Sequence, residues 1–271
     1  MSALPIRTVE KPWGRERLPP PFVAPSGTRI GEVWFEPPPE LPSLLVKYIF
    51  TSEKLSIQVH PDDDQARRAG HADLGGGGGK EECWLVIEAD PGATLGVGFS
   101  RPIAPEAIRA AALDGSIEQL LTWHPVAAGD FFYIPANTVH AIGAGISLIE
   151  VQQNADITYR LYDYGRPREL HLDEGVAVSR GEPHDPALRC RVPESGTVEL
   201  ADGRYFTLHR LDGVPDDAIL ARYAGPLLAI PRIGTVACRG ERLAPGTCAY
   251  AATIADLRFD PEGQCLLARP K

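Results

Sequence analysis

The sequence predicts a mainly β protein made of two antiparallel jelly-roll units, with a short helical insertion over residues 104–123. Three observations lead there. Short runs of alternating or β-forming residues recur, compact turn chemistry separates them, and 26 prolines with 27 glycines in 271 residues break the chain too often for long helices.

The predicted strands are Ile30 to Phe35, Leu44 to Phe50, Lys54 to His60, Cys83 to Glu88, Asp130 to Ile134 and Ile146 to Gln152. Turns fall between them at Pro37-Pro38-Pro39, Pro61-Asp62-Asp63, Pro91-Gly92, Gly129 and Gly143-Ala144-Gly145. Helical spacing takes over at Glu106 to Leu113 and at Ile117 to Trp123. Asp114-Gly115 should stop the first helix, and Ser116 with Gln119 should make a capping box for the second. Five consecutive glycines, Gly75 to Gly79, read as a flexible surface connection, because a phosphate-cradling loop would lead into a helix and here a strand follows.

After about Gly181 the polar clusters thin out, and strand-like pieces recur at Tyr205 to Arg210, Leu227 to Pro231, Thr235 to Arg239 and Thr247 to Ala252. The expected organisation is therefore a functional unit over residues 1–180 and a smaller β unit over residues 181–271. Gly240 to Gly246 echoes Gly129 to Ala136, but no histidine follows it, so the second unit reads as a repeat without a site.

A net charge of -9 gives no global attraction for nucleic acid or anionic lipid, so neither is expected as a partner. No apolar run approaches the roughly 20 residues that span a bilayer, and the opening residues lack a signal-peptide core; a cytoplasmic protein is expected. The five cysteines, Cys83, Cys190, Cys238, Cys248 and Cys265, form no close pair and read mostly as small apolar fillers. Without a long exposed helix for a coiled coil, a monomer or small homo-oligomer is expected.

The chemistry is concentrated in the first unit. Alternation in the segment from Lys54 puts Leu55, Ile57 and Val59 on one face and Ser56, Gln58 and His60 on the other. Lys80, Glu82 and Trp84 share a face of the next strand, and Glu150, Gln152 and Arg160 come later. Gln58, His60, Glu82 and His140 offer two imidazoles, a carboxylate and an amide oxygen, a borderline donor set suited to Zn²⁺ and compatible with Fe²⁺, Mn²⁺ or Co²⁺. Taken singly, each has a plainer reading: a hydrogen-bonded strand histidine, or half of a salt bridge.

Their local sequence decides between these. The stretch from Leu55 through Ser56, Gln58, His60 and Pro61 to Asp63 resembles the signature of type I phosphomannose isomerases, which are double cupins. Lys11 to Gly14 is similar to that family's Trp-Gly element, Gly79 to Trp84 to its Lys-x-Glu strand, Gly129 to His140 to its second cupin motif, and Gln152 to Arg166 is the longest match. The resemblance runs from about residue 11 to 175.

It implies a zinc ion held by Gln58, His60, Glu82 and His140, with Ser56, Lys47 and Lys80 on the sugar-phosphate side and Arg160 near the reacting centre. The implied activity is interconversion of mannose 6-phosphate and fructose 6-phosphate through an enediol, which needs a base, an electrophile and a substrate anchor. Glu150 is favoured as the proton shuttle; an ion pair with Arg160 or Lys80 is the competing reading. Asn137 stands where the family has Gly, and Asn tolerates the positive φ that such a turn requires. Val33 replaces an expected polar residue, which touches substrate choice more than catalysis. A metal-bearing cupin that binds without turnover leaves the lysines and Arg160 unexplained, as does an iron cupin oxygenase.

Overall fold

The computed structural model describes residues 3–271 and is mainly β, 41% strand and 14% helix. The first part contains β1 (Ile6–Arg15), β2 (Ile30–Phe35), β3 (Leu44–Phe50), β4 (Ile57–Val59), α1 (Asp63–Arg68), β5 (Glu82–Ala89) and β6 (Thr94–Phe99). Next come α2 (Pro105–Asp114), α3 (Ile117–Leu120), β7 (Leu121–Pro125), β8 (Asp130–Ile134), β9 (His140–Ile142), β10 (Ile146–Gln153), β11 (Tyr159–Tyr162), α4 (Leu172–Val178) and β12 (Arg189–Arg191). The remainder holds β13 (Val198–Asp202), β14 (Phe206–Asp212), α5 (Asp217–Arg222), β15 (Leu227–Ile233), β16 (Val236–Cys238), β17 (Glu241–Leu243), β18 (Ala249–Ala251), β19 (Leu257–Phe259) and β20 (Gln264–Pro270).

Four sheets form, and every strand pair in them is antiparallel. A seven-stranded sheet runs β1-β2-β3-β10-β5-β8-β12, and a five-stranded sheet runs β11-β4-β9-β6-β7. The later strands give a second five-stranded sheet, β13-β14-β20-β15-β18, and a three-stranded one, β17-β16-β19.

Period-two alternation shows what each face meets. On the seven-stranded sheet Val46, Tyr48, Phe50, Cys83, Leu85, Ile149 and Val151 share one apolar cluster with Phe206, Leu208, Leu228, Ile230 and Leu266 of the later sheet. Its other face sends Ile49, Trp84, Val86, Phe132 and Leu148 against Leu95, Val97 and Ile142 of the first five-stranded sheet. That sheet turns Ile57, Val59, Ala141, Tyr159 and Leu161 toward Ile108, Ala111, Ala112 and Val176 on α2 and α4. The seven-stranded sheet is thus covered on both faces, which is why β3 and β10 are buried at every position. Lys47, Glu82, Glu150 and Gln152 alternate with the residues of the first cluster and so point into the space between the two sheets.

Several expectations need correction. The strand expected from Lys54 to His60 is paired only over Ile57–Val59, since Pro61 after His60 has no N–H to continue the ladder. The helix expected to reach Trp123 stops at Leu120: Leu121 turns extended and pairs with Phe99, and Trp123 packs opposite Gly96, so strand pairing overrides the helical spacing. Ser116 makes no side-chain cap; the capping box forms instead between Asp62 and Gln65, where a turn had been expected, and it opens α1. Gly115 does stop α2, at φ 82°. Asn137 takes φ 71°, as its position requires.

The glycine run is a surface connection only at its start: Gly75 is exposed, whereas Gly78 and Gly79 are buried. Asp73 Oδ1 accepts the N–H groups of Gly75 and Gly77 at 2.8 Å each, and Asp63 Oδ1 accepts that of Gly79 at 3.0 Å. A Cβ on Gly79 would stand 2.5 Å from the Asp62 carbonyl carbon and the Asp63 nitrogen, so only glycine lets the chain pass α1 and enter β5. Of the five cysteines, Cys83, Cys238, Cys248 and Cys265 are buried and Cys190 is exposed.

Candidate metal centre and substrate cleft

Two rows of side chains face each other across the gap between the sheets. On the seven-stranded side Trp34 is aligned with Lys47, Lys47 with Glu150, and Glu150 with Trp84, while Glu82 is aligned with Gln152. On the five-stranded side Arg160 is aligned with Gln58 and Gln58 with His140. Neighbours in register share a face, so each row converges on the same space.

His60, Glu82 and His140 meet there. One ligand atom from each lies within 4.8 Å of the others, and each residue is 1% exposed. His60 Nδ1 is 2.7 Å from the Ile157 carbonyl oxygen and His140 Nδ1 is 2.8 Å from that of Thr138. A carbonyl only accepts, so both Nδ1 atoms carry the proton and both Nε2 lone pairs are left for the cluster. Those Nε2 atoms lie 3.5 Å from the Glu82 oxygens, His60 toward Oε2 and His140 toward Oε1. The Gln58 carboxamide sits 3.3 Å from His140 Nε2 and accepts from Ser56 Oγ at 3.1 Å; half a turn about its last bond would exchange its oxygen and nitrogen.

The donors fit a divalent cation. Neither oxygen of the fully buried Glu82 carboxylate takes a well-formed hydrogen bond, although Lys80 Nζ stands 2.6 Å from Oε2 as an ion pair and 3.2 Å from His60 Nε2. A buried carboxylate short of partners beside two imidazole lone pairs is a site that gains from positive charge. The protonation tendencies agree. Burial, helped by the Lys80 charge, holds the His60 imidazolium well below the usual range; burial takes His140 down to about 4, with its bond to Thr138 opposing. Burial and the neighbouring Glu150 charge push the Glu82 carboxyl up.

Gln58 and Lys80, which touch the cluster, also line a polar cleft beside it. Lys47, Ser56, Gln58, Lys80, Glu150 and Arg160, all singled out from the sequence, line it, and Lys11, Trp13, Glu32, Trp34, Asp156, Thr158 and Arg168 join them. Glu150 Oε1 is 3.3 Å from Lys47 Nζ and 3.9 Å from Lys80 Nζ, and its Oε2 accepts from Trp84 Nε1 at 3.1 Å. Burial would raise its pKa, but the Lys80 and Lys47 charges outweigh that and hold it ionised. Glu150 has no ion pair with Arg160, so of the two pairings expected from the sequence only that with Lys80 is present, and Lys47 is the nearer partner. Burial likewise works against the Lys80 ammonium, yet the Glu150 and Glu82 carboxylates hold its pKa above the ordinary lysine value.

Of the cleft residues not assigned from the sequence, Asp156 and Thr158 had a signal, since they alternate with Arg160. Lys11 and Trp13 lie in the Trp-Gly segment already singled out. Trp34 had none: its ring lies 4.3 Å from Lys47 Nζ, a contact across strands that no local pattern announces.

No protein-family model matches the sequence. Curated relatives include a mannose-6-phosphate isomerase of Streptococcus mutans, 43% identical over 176 residues, 62% of this chain and 54% of that protein. A probable mannose-6-phosphate isomerase of Bacillus subtilis, GmuF, is 33% identical over 201 residues, 68% of this chain and 62% of that protein. The chain is thus similar over about two thirds of its length to proteins named mannose-6-phosphate isomerases. The matches span between about half and two thirds of these relatives' own length. Among solved structures, the mannose 6-phosphate isomerase of Bacillus subtilis superposes with a TM-score of 0.77 at 24% identity, covering 99% of this chain and 100% of that one. A zinc-bound mannose 6-phosphate isomerase superposes with a TM-score of 0.73 at 14% identity, covering 100% of this chain and 99% of that one. The isomerase fold therefore extends over the whole chain, the later sheets included.

Proposed function

We propose that the chain is a metal-dependent aldose–ketose isomerase that interconverts mannose 6-phosphate and fructose 6-phosphate through an enediol. The observation that carries the reading is the buried His60, Glu82 and His140 cluster, joined through Gln58 and Lys80 to a cleft lined with lysine and arginine. The names of the curated relatives support the substrate.

Gln58, His60, Glu82 and His140 would hold the ion, most naturally Zn²⁺, one per chain. Bound there, a divalent cation supplies Lewis acidity toward the substrate's carbonyl oxygen. The remaining work belongs to the protein. Arg160, a permanent cation with a rigid fork of donors, stabilises negative charge growing on the sugar oxygens. Lys47, Lys80 and Ser56 hold phosphate and hydroxyl groups by charge-assisted hydrogen bonds, and this fixes the carbon acid against its base. Glu150 is the proton shuttle in this scheme, with Lys80 beside the reacting carbons. Its two lysine neighbours depress its basicity until substrate oxygens draw their charge away. Residues 1–180 form the catalytic unit and residues 181–271 a degenerate second one. The protein acts in the cytoplasm, as a monomer or small homo-oligomer.

A coupled assay on mannose 6-phosphate, with metal analysis of the same sample, tests the reading. Turnover abolished by a chelator and restored by Zn²⁺ is the expected result. Bound metal with no turnover of any hexose phosphate would reduce the protein to a binding module.

A further inference from the structure

Strand β11 is the outermost strand of its sheet, so one rim of its backbone has no neighbouring strand. At Arg160 a single residue fills that gap. The Arg160 N–H donates to His171 Nδ1 at 3.3 Å, and the His171 N–H donates to the Arg160 carbonyl at 2.8 Å. His171 thereby imitates a paired strand residue at one register position.

The location gives this contact its importance. Immediately after Arg160 the register with β4 slips by one residue, a bulge at which the strand is free to rotate unless held. The Arg160 guanidinium has no hydrogen-bond or ion-pair partner among the described residues, so its aim into the cleft is set by its backbone. His171 is itself secured from behind: its carbonyl accepts the Gly175 N–H at 2.8 Å, and a Cβ on Gly175 would stand 2.7 Å from Leu161 Cδ2, so α4 lies tight on β11.

We infer that His171 is a positioning residue for Arg160, fixing the pleat of the edge strand so that the guanidinium faces the reacting centre. The kinetic part of this rests on the isomerase reading above. Asn can place an acceptor oxygen at nearly the reach of Nδ1, whereas Ala cannot. His171→Ala should lower kcat about tenfold with KM and metal content little changed, and His171→Asn should recover most of the loss. In an Arg160→Ala background His171→Ala should cost nothing further, because the two act through one side chain. A helix-anchoring role would instead lower both backgrounds equally. Hydrogen exchange at the Arg160 amide should quicken in His171→Ala and return to the parent rate in His171→Asn, a readout independent of turnover. Parental kcat in the Ala variant, no rescue by Asn, additive losses in the double variant or an unchanged amide exchange rate would each overturn the inference. A parent protein inactive on mannose 6-phosphate would overturn the functional reading, and amide exchange would still judge the clamp.

Discussion

Arg160 and His140 occupy one row of the same sheet, two register positions apart across Gln58, yet their losses should differ in kind. His140→Ala removes a donor nitrogen and should lower both zinc content and rate. Arg160→Ala should keep the metal and lose rate by about two orders of magnitude, the usual scale for a lost oxyanion-stabilising donor. Metal analysis beside kinetics separates the two, and a fully active Arg160→Ala would remove that residue from the mechanism. The imidazoles also set a pH dependence in metal-free protein. Burial holds His140 at about 4 against 6.5 when free, so the folded state binds fewer protons than the unfolded state between those values. The stability contributed by the neutral ring is complete above 6.5 and is lost as pH falls toward 4. Across that window the wild type should lose about 3 kcal/mol more than His140→Gln, measured from urea midpoints. Equal losses in the two would contradict it.

The entry to β5 depends on glycine. Gly79→Ala drives a Cβ into the backbone at the start of α1, whereas a Cβ on Gly78 meets nothing closer than 3.6 Å. Gly79→Ala should cost about 1–3 kcal/mol and weaken metal binding, because Lys80 and Glu82 follow directly; Gly78→Ala should cost less, only its positive φ of 89°. Thermal melts and zinc titration of the two variants check this. The same region shows what local sequence conveys. Strands Ile30–Phe35, Leu44–Phe50 and Asp130–Ile134 were legible to the residue because their composition and their tertiary setting agree. Strand β7 was not, since its pairing with β6 overrules a helical pattern. Nor was the burial of Gly78 and Gly79, where Asp63 at the start of α1 accepts the Gly79 N–H. The cluster of His60, Glu82 and His140 was readable because each residue lies in a recognisable stretch; the contacts of Trp34 with the neighbouring strand and of His171, before α4, with β11 were not, since sequence alone does not align those segments.

At the scale of the molecule, the wall of the cleft is stiffened from outside. Val46, Tyr48, Phe50, Ile149 and Val151 bury one face of the seven-stranded sheet against Phe206, Leu208, Leu228 and Leu266, and the halves are further joined by Leu4 N–H to the Cys248 carbonyl at 2.8 Å. A fragment of residues 1–180 would expose that apolar face to water. It should aggregate or bind hydrophobic dye where the full chain does not, and a soluble, zinc-loading fragment would show the later sheets to be dispensable.

The two proton locks on the histidine rings carry one more consequence. With each Nδ1 committed to a main-chain carbonyl, neither ring can choose which nitrogen it offers, and the cage has its shape before any ion arrives. An arriving cation therefore meets two nitrogen lone pairs whose tautomer is already chosen. Calcium, with its appetite for six to eight oxygens, is poorly served by two imidazole nitrogens, and the smaller nitrogen-loving ions are left to compete on abundance.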